Sequence, residues 1–485
     1  MATVVVLGAG ISGHTAALFL RRGLKKEHNV VVVTPNSLWN WIPSNVWVGV
    51  GLMTKDDVTF PLAPLYEKLG IEFHQAKAVS IHPEGGHDKS RPFVKVEYTE
   101  DSRVGEIAEL DYDFLINATG PKLNFAATAG LGPDGFTNSV CTYGHAEEAA
   151  RNVFSSIEKM KKGERQTFVV GTGHGMCTCQ GAAFEYAFNL EFELRRAGVR
   201  DLADFVFITN EAVLGDFGVG GLHFQRNGYV IHSRTFAESL YAERGLSWIT
   251  GAHVQKIERG KIFYENLEGE DHELNFDFSM LIPPFAGVGL KAVGRAGNDI
   301  TEKIFAGNGF LKVDADYTPK EYDNWKASDW PLTYQNRDYA NIYAVGIAFA
   351  PPHAISRPRK SKRGTPISPT PPRTGMPSAI IGRAVATSIC DIINKGSPGP
   401  TRTASMAKMG AACVASAGSG WLKGTAASMT MYPIVPDFET YPEYGRDLDY
   451  TFGEIGSSGH WIKNILHHMF LYKAKAKPFW WLIPE

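Results

Sequence analysis

Six apolar runs along the chain predict strands that are buried on both faces. Most residues in each run are apolar without a polar alternation, which is typical of parallel sheets covered by helices. The runs are residues 3–7, 30–33, 114–116, 167–170, 205–208 and 342–345. Two of them, 3–7 and 167–170, are followed directly by glycines and then by a helical pattern. The chain is therefore predicted to be an α/β protein with two strand–glycine–helix units.

The first of these units has a complete G-x-G-x-x-G loop, and the helical run to residue 22 follows it. The first glycine suits a tight turn, the second lets a pyrophosphate approach the backbone, and the third lets the helix pack on the strand. Free N–H groups at the helix start attract phosphate. We expect a dinucleotide to bind here, against the residues Gly8, Gly10, Ile11, Ser12 and Gly13.

The second strand of this unit does not end in the acid that often binds a ribose. Thr34, Pro35 and Asn36 follow it instead. Thr34 or Asn36 offers a neutral hydrogen bond to a ribose, which leaves FAD and NAD both open.

Two later segments favour FAD. The run 114–117 continues into Ala118, Thr119, Gly120 and Pro121, which is similar to the ATG turn of flavoproteins with two dinucleotide domains. The run 342–345 ends in Gly346 and Ile347, where many such proteins have an acid after the glycine. Either segment alone is also compatible with an ordinary buried strand. Together they predict an FAD domain formed by residues 1–124 and 325–396, a second Rossmann-like domain at 125–324, and a C-terminal region at 397–485.

The second glycine loop is degenerate. Gly171 and Gly173 fit the fingerprint, but Met176 stands at the third glycine, and Cys177 and Cys179 follow. One interpretation is a nucleotide site replaced by a thiol site, and the other is a decayed loop with buried cysteines. Zinc requires four ligands at characteristic spacing, and no second ligand pair accompanies these cysteines, so no metal is expected.

Composition narrows the class of protein. The 485 residues allow two or three domains, and a net charge of −2 gives no general case for nucleic acid binding. The five cysteines are too few for a secreted disulfide scaffold, and Cys390 lies in a helical pattern typical of a core. The first strand leaves no room for a signal peptide, and no apolar run reaches the roughly 18 residues that a membrane span needs.

Several motifs resemble those of the sulfide:quinone oxidoreductase family. The resemblance covers most of residues 1–420. The matching segments are residues 139–146 around Cys141, the segment CQGAAFEY at 179–186, IPPF at 282–285, Gly346-Ile347, Arg373-Thr374-Gly375 and the AAC ending at Cys413.

The resemblance implies FAD as the cofactor, and sulfide and a membrane quinone as partners. It implies that Cys179 and Cys413 are the redox pair beside the flavin, and that Glu185 handles protons. Cys141 matches a cysteine that in some members links to FAD, and Thr374 and Gly375 match the flavin-facing turn.

This chain departs from the family pattern in three places. Asp216 stands in a turn where the family often has histidine, Cys177 is an additional thiol, and residues 353–372 form a longer connection. Cys177 is either a resolving thiol or part of the core. A divergent subgroup is expected, which leaves room for a related substrate.

The C-terminus has the pattern of an interfacial anchor. At helical spacing, residues 461, 462, 465, 466, 469 and 470 form an apolar half opposite Lys463, Asn464, His467 and His468, and a lysine- and tryptophan-rich end follows. A helix docked on the core or at a dimer interface is the alternative. The basic run 357–363 is either lipid-binding or simply solvated.

We therefore expect a peripheral protein of a prokaryotic-type inner membrane, and a homo-oligomer is compatible with the sequence. Phe285, Tyr432 and Ile434 are the candidate quinone-stacking residues.

Three other functions stay open at this point. Glu211, just after the run 205–208, suits a ribose, which keeps a type II NADH dehydrogenase as an alternative. The flavin subunit of a flavocytochrome c sulfide dehydrogenase would need a haem partner and usually an export signal. A flavin-containing scaffold or redox sensor recruited to membranes would show no turnover with sulfide and quinone.

Overall fold

The computed structural model describes residues 1–226, 228–418 and 424–485. In its N-terminal part the strands are β1 Thr3–Leu7, β2 Asn29–Thr34, β3 Leu38–Asn40, β4 Thr59–Pro61, β5 Glu72–His82, β6 Phe93–Tyr98, β7 Ile107–Asp111, β8 Phe114–Asn117 and β9 Lys122–Leu123. The helices there are α1 Ile11–Gly23, α2 Asn45–Val48, α3 Lys55–Val58 and α4 Leu62–Leu69, with a 3-10 turn at Ile42–Ser44.

The central part contributes strands to several different sheets. Its strands are β10 Gln166–Thr172, β11 Ala203–Ile208, β12 His223–Arg226, β13 Tyr229–His232, β14 Ser247–Ile249, β15 His253–Glu258, β16 Lys261–Glu265, β17 Asp271–Asn275, β18 Phe278–Ile282, β19 Phe285–Ala286 and β20 Lys291–Ala292. Its helices are α5 Tyr143–Lys161, α6 Gln180–Arg196, α7 Ser233–Glu243 and α8 Thr301–Ile304.

The last part returns to the first sheet and then forms a small sheet of its own. Its strands are β21 Ile342–Ala344, β22 Ala411–Ala417, β23 Thr425–Met431 and β24 Phe452–Gly456. Its helices are α9 Gly375–Lys395 and α10 Ser457–Ala474.

The first sheet has the order β21-β8-β1-β2-β5-β6-β7, with β20 beside β5. Its strands from β21 to β5 run parallel, and β6 and β7 are antiparallel additions. Helices α1 and α9 cross so closely that a Cβ on Gly382 would lie 2.4 Å from the carbonyl oxygen of Ser12. This sheet is the predicted Rossmann-like unit that the chain enters at its beginning and again after residue 340.

The second parallel sheet has the order β14-β11-β10-β18, and α6 follows β10. The α/β class and the two Rossmann-like sheets are thus as predicted. Pairing of β20 with β5 brings the chain back to the first sheet at residue 291, well before the predicted boundary at 324. The short IPPF segment marks this crossing, because β18 ends at Ile282 and β19 then pairs with β9.

The C-terminal residues form an antiparallel sheet, β22-β23-β24, that lies against α6 and α10. Among the described residues one helix, α9, is long and apolar enough to cross a membrane, but 61% of its most apolar window is buried inside the protein. Since it packs along α1, we assign α9 to the core of the first unit.

Candidate active site

The first glycine loop has the geometry of a phosphate site. Gly8 has φ +98°, and a Cβ there would lie 2.2 Å from the carbonyl oxygen of Ala118. A Cβ on Gly13 would lie 2.0 Å from the carbonyl oxygen of Gly8, so α1 sits directly on the turn. Gly10, in contrast, has nothing within 4 Å of its Cβ position. The loop is therefore closed toward the protein and open where a pyrophosphate would approach.

The other predicted cofactor residues converge on the same helix start. A Cβ on Gly346 would touch Ser12 Oγ at 2.3 Å, and one on Gly375 would lie 3.2 Å from Ile11 Cδ1. Thr119 N and Oγ1 donate to Asn117 Oδ1 at 3.2 and 2.8 Å, which shapes the turn after β8. The chain's beginning, its ATG turn and its later third thus meet at one place.

The rim of this site is formed by less constrained residues. Thr34 is buried at the end of β2, and Asn36 beyond it is exposed. Thr374 is the N-cap of α9 and is exposed, and Ile347 and Pro121 are partly buried. Open glycines, a helix N-terminus and neutral donors fit FAD, so these residues are retained as its candidate contacts.

Arg373 connects two segments of the cofactor site, the turn after β21 and the start of α9. Its Nη1 donates to the carbonyl oxygens of Ile347 at 3.2 Å and Phe349 at 3.4 Å. Its guanidinium carbon lies 4.6 Å from the centre of the Phe310 ring. Burial lowers the pKa of Arg373 to about 10. Arg373 therefore joins the glycine turn after β21 to the start of α9.

Three of the five cysteines are partly buried, and they lie around the beginning of α6. Cys179 is the N-cap of α6 in a left-handed conformation, φ 65° and ψ 31°, which is uncommon for a residue other than glycine. A Cβ on Gly181, in the first turn of α6, would lie 3.0 Å from Cys413 Sγ. Cys141 precedes α5, and its backbone N–H donates to Ser139 Oγ at 3.1 Å. All five cysteines are free thiols.

Burial raises the pKa of each of these thiols, to about 11 for Cys141, 12 for Cys179 and 11 for Cys413. At Cys179 the neighbouring Cys141 raises the pKa further, whereas Thr178 and Arg373 lower it. The electropositive setting expected at the helix start is present, but it is weaker than the effect of burial. The thiolate is thus disfavoured until sulfur chemistry or a cofactor supplies compensation.

Glu185 lies one turn into α6 and is almost fully enclosed. Ser416 N and Oγ donate to Glu185 Oε1 at 3.2 and 2.7 Å. Lys463 Nζ donates to Glu185 Oε2 at 3.0 Å. The charge of Glu185 raises the pKa of Cys413 and that of Lys463 lowers it, both less than burial does. The predicted acid therefore lies beside the predicted second cysteine.

The other two cysteines belong to the core. Cys177 is fully buried, and its thiol donates to the carbonyl oxygen of Ile282 at 3.2 Å. Cys390 is buried in α9 against Gly23 of α1. For Cys177 the structure supports the core interpretation over that of a resolving thiol.

The second glycine loop is covered by the chain itself. Ser368 N donates to the carbonyl oxygen of Gly175, and Thr370 N to that of Cys177, at 2.8 and 2.9 Å. Asn210 Nδ2 donates to the same two carbonyls and to that of Ser368. The long connection 353–372 thus closes the place where a second nucleotide would lie.

Glu211 does not serve as the ribose acid that its sequence position suggested. It is buried, it accepts from Thr209 Oγ1 and Phe217 N, each at 2.8 Å, and it lies near Asp216. Burial, followed by the charge of Asp216, raises the pKa of Glu211 to about 7. This carboxyl group is occupied by its own chain, and the alternative of an NADH site loses its main support.

Most of the predicted polar half of α10 faces the protein interior, unlike the polar half of an anchor helix that lies free on a membrane, and only His468 of that half is exposed. Asn464 and His467 are buried, and Ser44 Oγ shares a hydrogen bond of 2.9 Å with His467 Nδ1. Ile462 and Ile465 are 47% and 48% exposed. His467 and Lys463 point inward because Ser44 and Pro43 of the N-terminal part lie there as hydrogen-bonding partners. The outer face carries exposed apolar side chains together with His468.

The candidate quinone residues come from different layers. Phe285 is in β19, beside Leu123 of β9, whereas Tyr432 and Ile434 follow β23. Ile434 is buried, and Tyr432 lies against Gly410.

The basic run 357–363 lies on the second unit. Its cations Arg357, Lys362 and Arg363 pair with Asp323, Glu268 and Asp271. In the described ranges no group of three or more His, Cys, Asp or Glu side chains has the arrangement of a metal site.

Comparisons with known proteins agree with this geometry, although no family model matches the chain. A sulfide-quinone reductase of Aquifex aeolicus is 29% identical over 97% of this chain and 91% of its own length. The crystal structure of the sulfide:quinone oxidoreductase from Aquifex aeolicus superposes with a TM-score of 0.74 at 28% identity, over 98% of this chain and 92% of that one. NDH2 from Plasmodium falciparum, in complex with NADH, has a TM-score of 0.61 at 14% identity over 100% and 99% of the two chains, and shows the shared fold.

The two parallel sheets and the first glycine loop, together with the sulfide-quinone reductase relatives, define the class, an FAD-dependent oxidoreductase with two Rossmann-like units. Within that class, the sulfide enzyme is the more similar of the two solved structures, with a TM-score of 0.74 at 28% identity against 0.61 at 14% for NDH2. Over nearly its whole length the chain is similar to sulfide:quinone oxidoreductases.

Sequence reasoning missed the residues that surround Glu185. The helical pattern places Lys463 on a solvent-facing half, and nothing in the sequence singles out Ser416 or Trp47. Trp47 Nε1 donates to Ser416 Oγ at 3.0 Å across 369 residues of chain. The one signal in the sequence was the set of polar residues in the otherwise apolar terminal helix. That pattern suggested that these residues face solvent, whereas Lys463 faces the protein interior.

Proposed function

We propose that this protein oxidises sulfide and reduces a membrane quinone. The observation that supports this most directly is the set of three partly buried thiols around the start of α6, beside a buried carboxylate, where a second nucleotide loop would otherwise be. The same place is closed to a nicotinamide cofactor by the connection 353–372.

The sulfur chemistry is assigned to Cys179 and Cys413 as an oxidised pair. HS⁻ attacks one sulfur atom of the disulfide, a new S–S bond forms as a persulfide, and the other cysteine leaves as a thiolate. The thiolate then bonds to the persulfide, and this second S–S bond releases two electrons and the proton that came with HS⁻. Quinone takes up these two electrons, that proton and one further proton from water. Glu185 is the carboxylate placed to accept the proton, because it lies next to Cys413.

The chemistry that bound FAD would supply is two-electron transfer between the sulfur site and quinone. Gly10 and the N-terminus of α1 would hold its pyrophosphate, and the glycine turns at 120 and 346 would leave room for the rest. Arg373 fixes the turn after β21 and lies close enough to Cys179 to lower the pKa of its thiol. Cys141 is retained as the candidate for a covalent link.

The protein is further proposed to lie on a membrane through α10. Ile462, Ile465 and Tyr472 are exposed at helical spacing on one face, and Phe479 and Leu482 are exposed beyond the helix. Ile42 is also exposed, in the turn whose Pro43 carbonyl binds Lys463. A quinone would enter beside this turn, since Trp41 and Pro43 also lie within 4 Å of the Gly375 Cβ position. Phe285, Tyr432 and Ile434 remain candidate quinone contacts, and a prokaryotic-type inner membrane remains a prediction.

The test is sulfide-dependent reduction of decylubiquinone by the purified flavin-loaded protein, with persulfide products trapped by monobromobimane. We expect quinol and trapped sulfane sulfur to form in equal amounts while sulfide is consumed. Turnover with NADH in place of sulfide would support the type II NADH dehydrogenase alternative. No turnover with either donor would support a flavin-containing scaffold or sensor.

A further inference from the structure

A buried ion pair joins the C-terminal helix to the sulfur site. Lys463 of α10 and Glu185 of α6 lie 3.0 Å apart, with side chains 11% and 8% exposed. Lys463 Nζ also donates to the carbonyl oxygen of Pro43 at 3.2 Å. Two charges withdrawn from water are tolerated only when they are paired and hydrogen-bonded, so neither partner is easily replaced.

The other carboxylate oxygen of Glu185 accepts hydrogen bonds from a different element, β22. Ser416 donates twice to Oε1, and Trp47 in turn donates to Ser416 Oγ. Asn189 Nδ2 donates to the backbone carbonyl oxygen of Ser416 at 2.7 Å, which holds β22 against α6. Donors from different elements thus fix the carboxylate in one orientation, and Lys463 supplies the only ammonium group among the donors to Glu185 that the described residues provide.

The carboxylate held in this way acts on a cysteine of the sulfur site. Cys413 lies three residues before Ser416 in β22, with its sulfur against the first turn of α6. Burial raises the pKa of this thiol most, Glu185 raises it further, and Lys463 lowers it. The thiol therefore senses both charges of the pair, with opposite signs.

We propose that Lys463 is a positioning residue of the sulfur site. When α10 is packed against the protein, Lys463 holds Glu185 beside Cys413. This inference rests on the proposed function. One turn along α10, His467 shares a hydrogen bond with Ser44, and the opposite face carries Ile462 and Ile465. The helix that is expected to meet the membrane thus also completes the sulfur site on its inner side.

The titratable groups around Glu185 come from two packed elements. Cys413 faces it from β22, and Lys463 faces it from α10, with His467 one turn farther along α10. The turn 42–44 and α2 contribute the carbonyl oxygen of Pro43 and the indole of Trp47, which do not titrate. A change of charge at Glu185 or Lys463 should therefore change the pH at which the Cys413 thiol ionises.

The first experiment measures alkylation of Cys413 by iodoacetamide against pH, in the reduced flavin-loaded protein, with peptide mass spectrometry to separate the thiols. In Lys463→Met the midpoint should move upward by about one pH unit, because the thiolate loses a cation. In Glu185→Gln it should move downward. Lys463→Arg should restore the normal midpoint, and Lys477→Met, at an exposed lysine beyond α10, should leave it unchanged.

The second experiment follows anaerobic flavin reduction by sulfide in the same variants. Lys463→Met should be slowed at least tenfold, and His467→Ala, which loosens α10 but keeps the ammonium group, should be slowed less than threefold. The double variant Glu185→Gln/Lys463→Met removes both charges, so it tests the pair even if Lys463→Met does not fold.

Several results would overturn the proposal. They are an unshifted alkylation midpoint in Lys463→Met, equal slowing by His467→Ala and Lys463→Met, or a double variant that reacts with sulfide at the normal rate. Failure of the unmodified protein to react with sulfide at all would instead overturn the proposed function.

Discussion

The two glycine loops occupy equivalent places in two parallel sheets, yet they leave very different space for a ligand. In the first, β1 ends at Leu7 and α1 begins at Ile11, and the middle glycine faces open space. In the second, β10 ends at Thr172 and α6 begins only at Gln180. A Cβ on Gly175 in this longer loop would lie 2.5 Å from the carbonyl oxygen of Pro366.

This difference shows how a nucleotide scaffold is converted to another purpose. The strand–turn–helix frame is kept, since both sheets remain parallel. The phosphate groove is filled by residues 366–370, and the freed helix start carries cysteines. The helix start that faces the phosphate site in α1 instead carries, in α6, a thiol in a left-handed N-cap.

The largest effect is expected from removing Cys413, the thiol that lies against the first turn of α6 after the second glycine loop. Cys413→Ser should lower sulfide-driven quinone reduction at least a hundredfold, because no disulfide can then form for HS⁻ to attack. FAD should stay bound, since the first loop is untouched, as the flavin absorbance will show. Cys390→Ser, at a buried thiol in α9, is the matched control, and near-normal turnover of Cys413→Ser would contradict the assignment.

A substitution in the first glycine loop should weaken FAD binding, which the Cys413 substitution leaves unchanged. Gly10→Val puts a side chain into the space that a pyrophosphate needs, so we expect FAD affinity to fall at least tenfold while the fold is kept. Isothermal titration of the apoprotein with FAD measures this change. Met176→Ala, at the third glycine position of the second loop, should bind FAD normally, and equal losses in both variants would remove the distinction between the loops.

A smaller effect is expected at the outer face of α10. Ile462→Ser/Ile465→Ser should reduce binding to anionic liposomes severalfold, because two apolar side chains no longer enter the interface. Flavin reduction by sulfide should remain near normal. Val104→Ser, at an exposed apolar residue between β6 and β7, is the control, and unchanged liposome flotation of the double variant would argue for a different docking surface.

The last effect is on stability and not on activity, and it concerns the acid that a nicotinamide enzyme would use. The pKa of Glu211 is raised to about 7 in the folded protein, so the folded state binds the proton more tightly than the unfolded state. The resulting stabilisation, roughly 3 kcal/mol, is fully present below the unfolded pKa and is lost as pH rises through the folded pKa. Glu211→Gln should therefore lose less stability than the unmodified protein between pH 5 and 8.

Urea unfolding at both pH values measures this difference. Glu270→Gln, at an exposed carboxylate, should leave the pH dependence as it is. An identical pH dependence in Glu211→Gln would mean that Glu211 is ionised and free to meet a ligand.

Local patterns were enough to predict the parallel strands and the first glycine loop, whereas the grouping of Cys179 with Cys413 was implied only by the family resemblance. The strands and the loop depend on short segments in which each residue's role follows from its neighbours, as for Gly10. The orientation of α10 was not predictable, because it depends on partners far away in the chain. His467 faces inward only because Ser44 is there, and Lys463 because of Glu185. The use of residues 366–370 as a cover depends likewise on a tertiary contact that leaves no local pattern.

The most direct test of the whole account is anaerobic mixing of the oxidised protein with sulfide and, separately, with NADH, followed by the absorbance of the flavin. The account predicts rapid bleaching by sulfide and none by NADH, because the second loop presents thiols and is closed to a nucleotide. Bleaching by NADH with an unchanged spectrum in sulfide would contradict it.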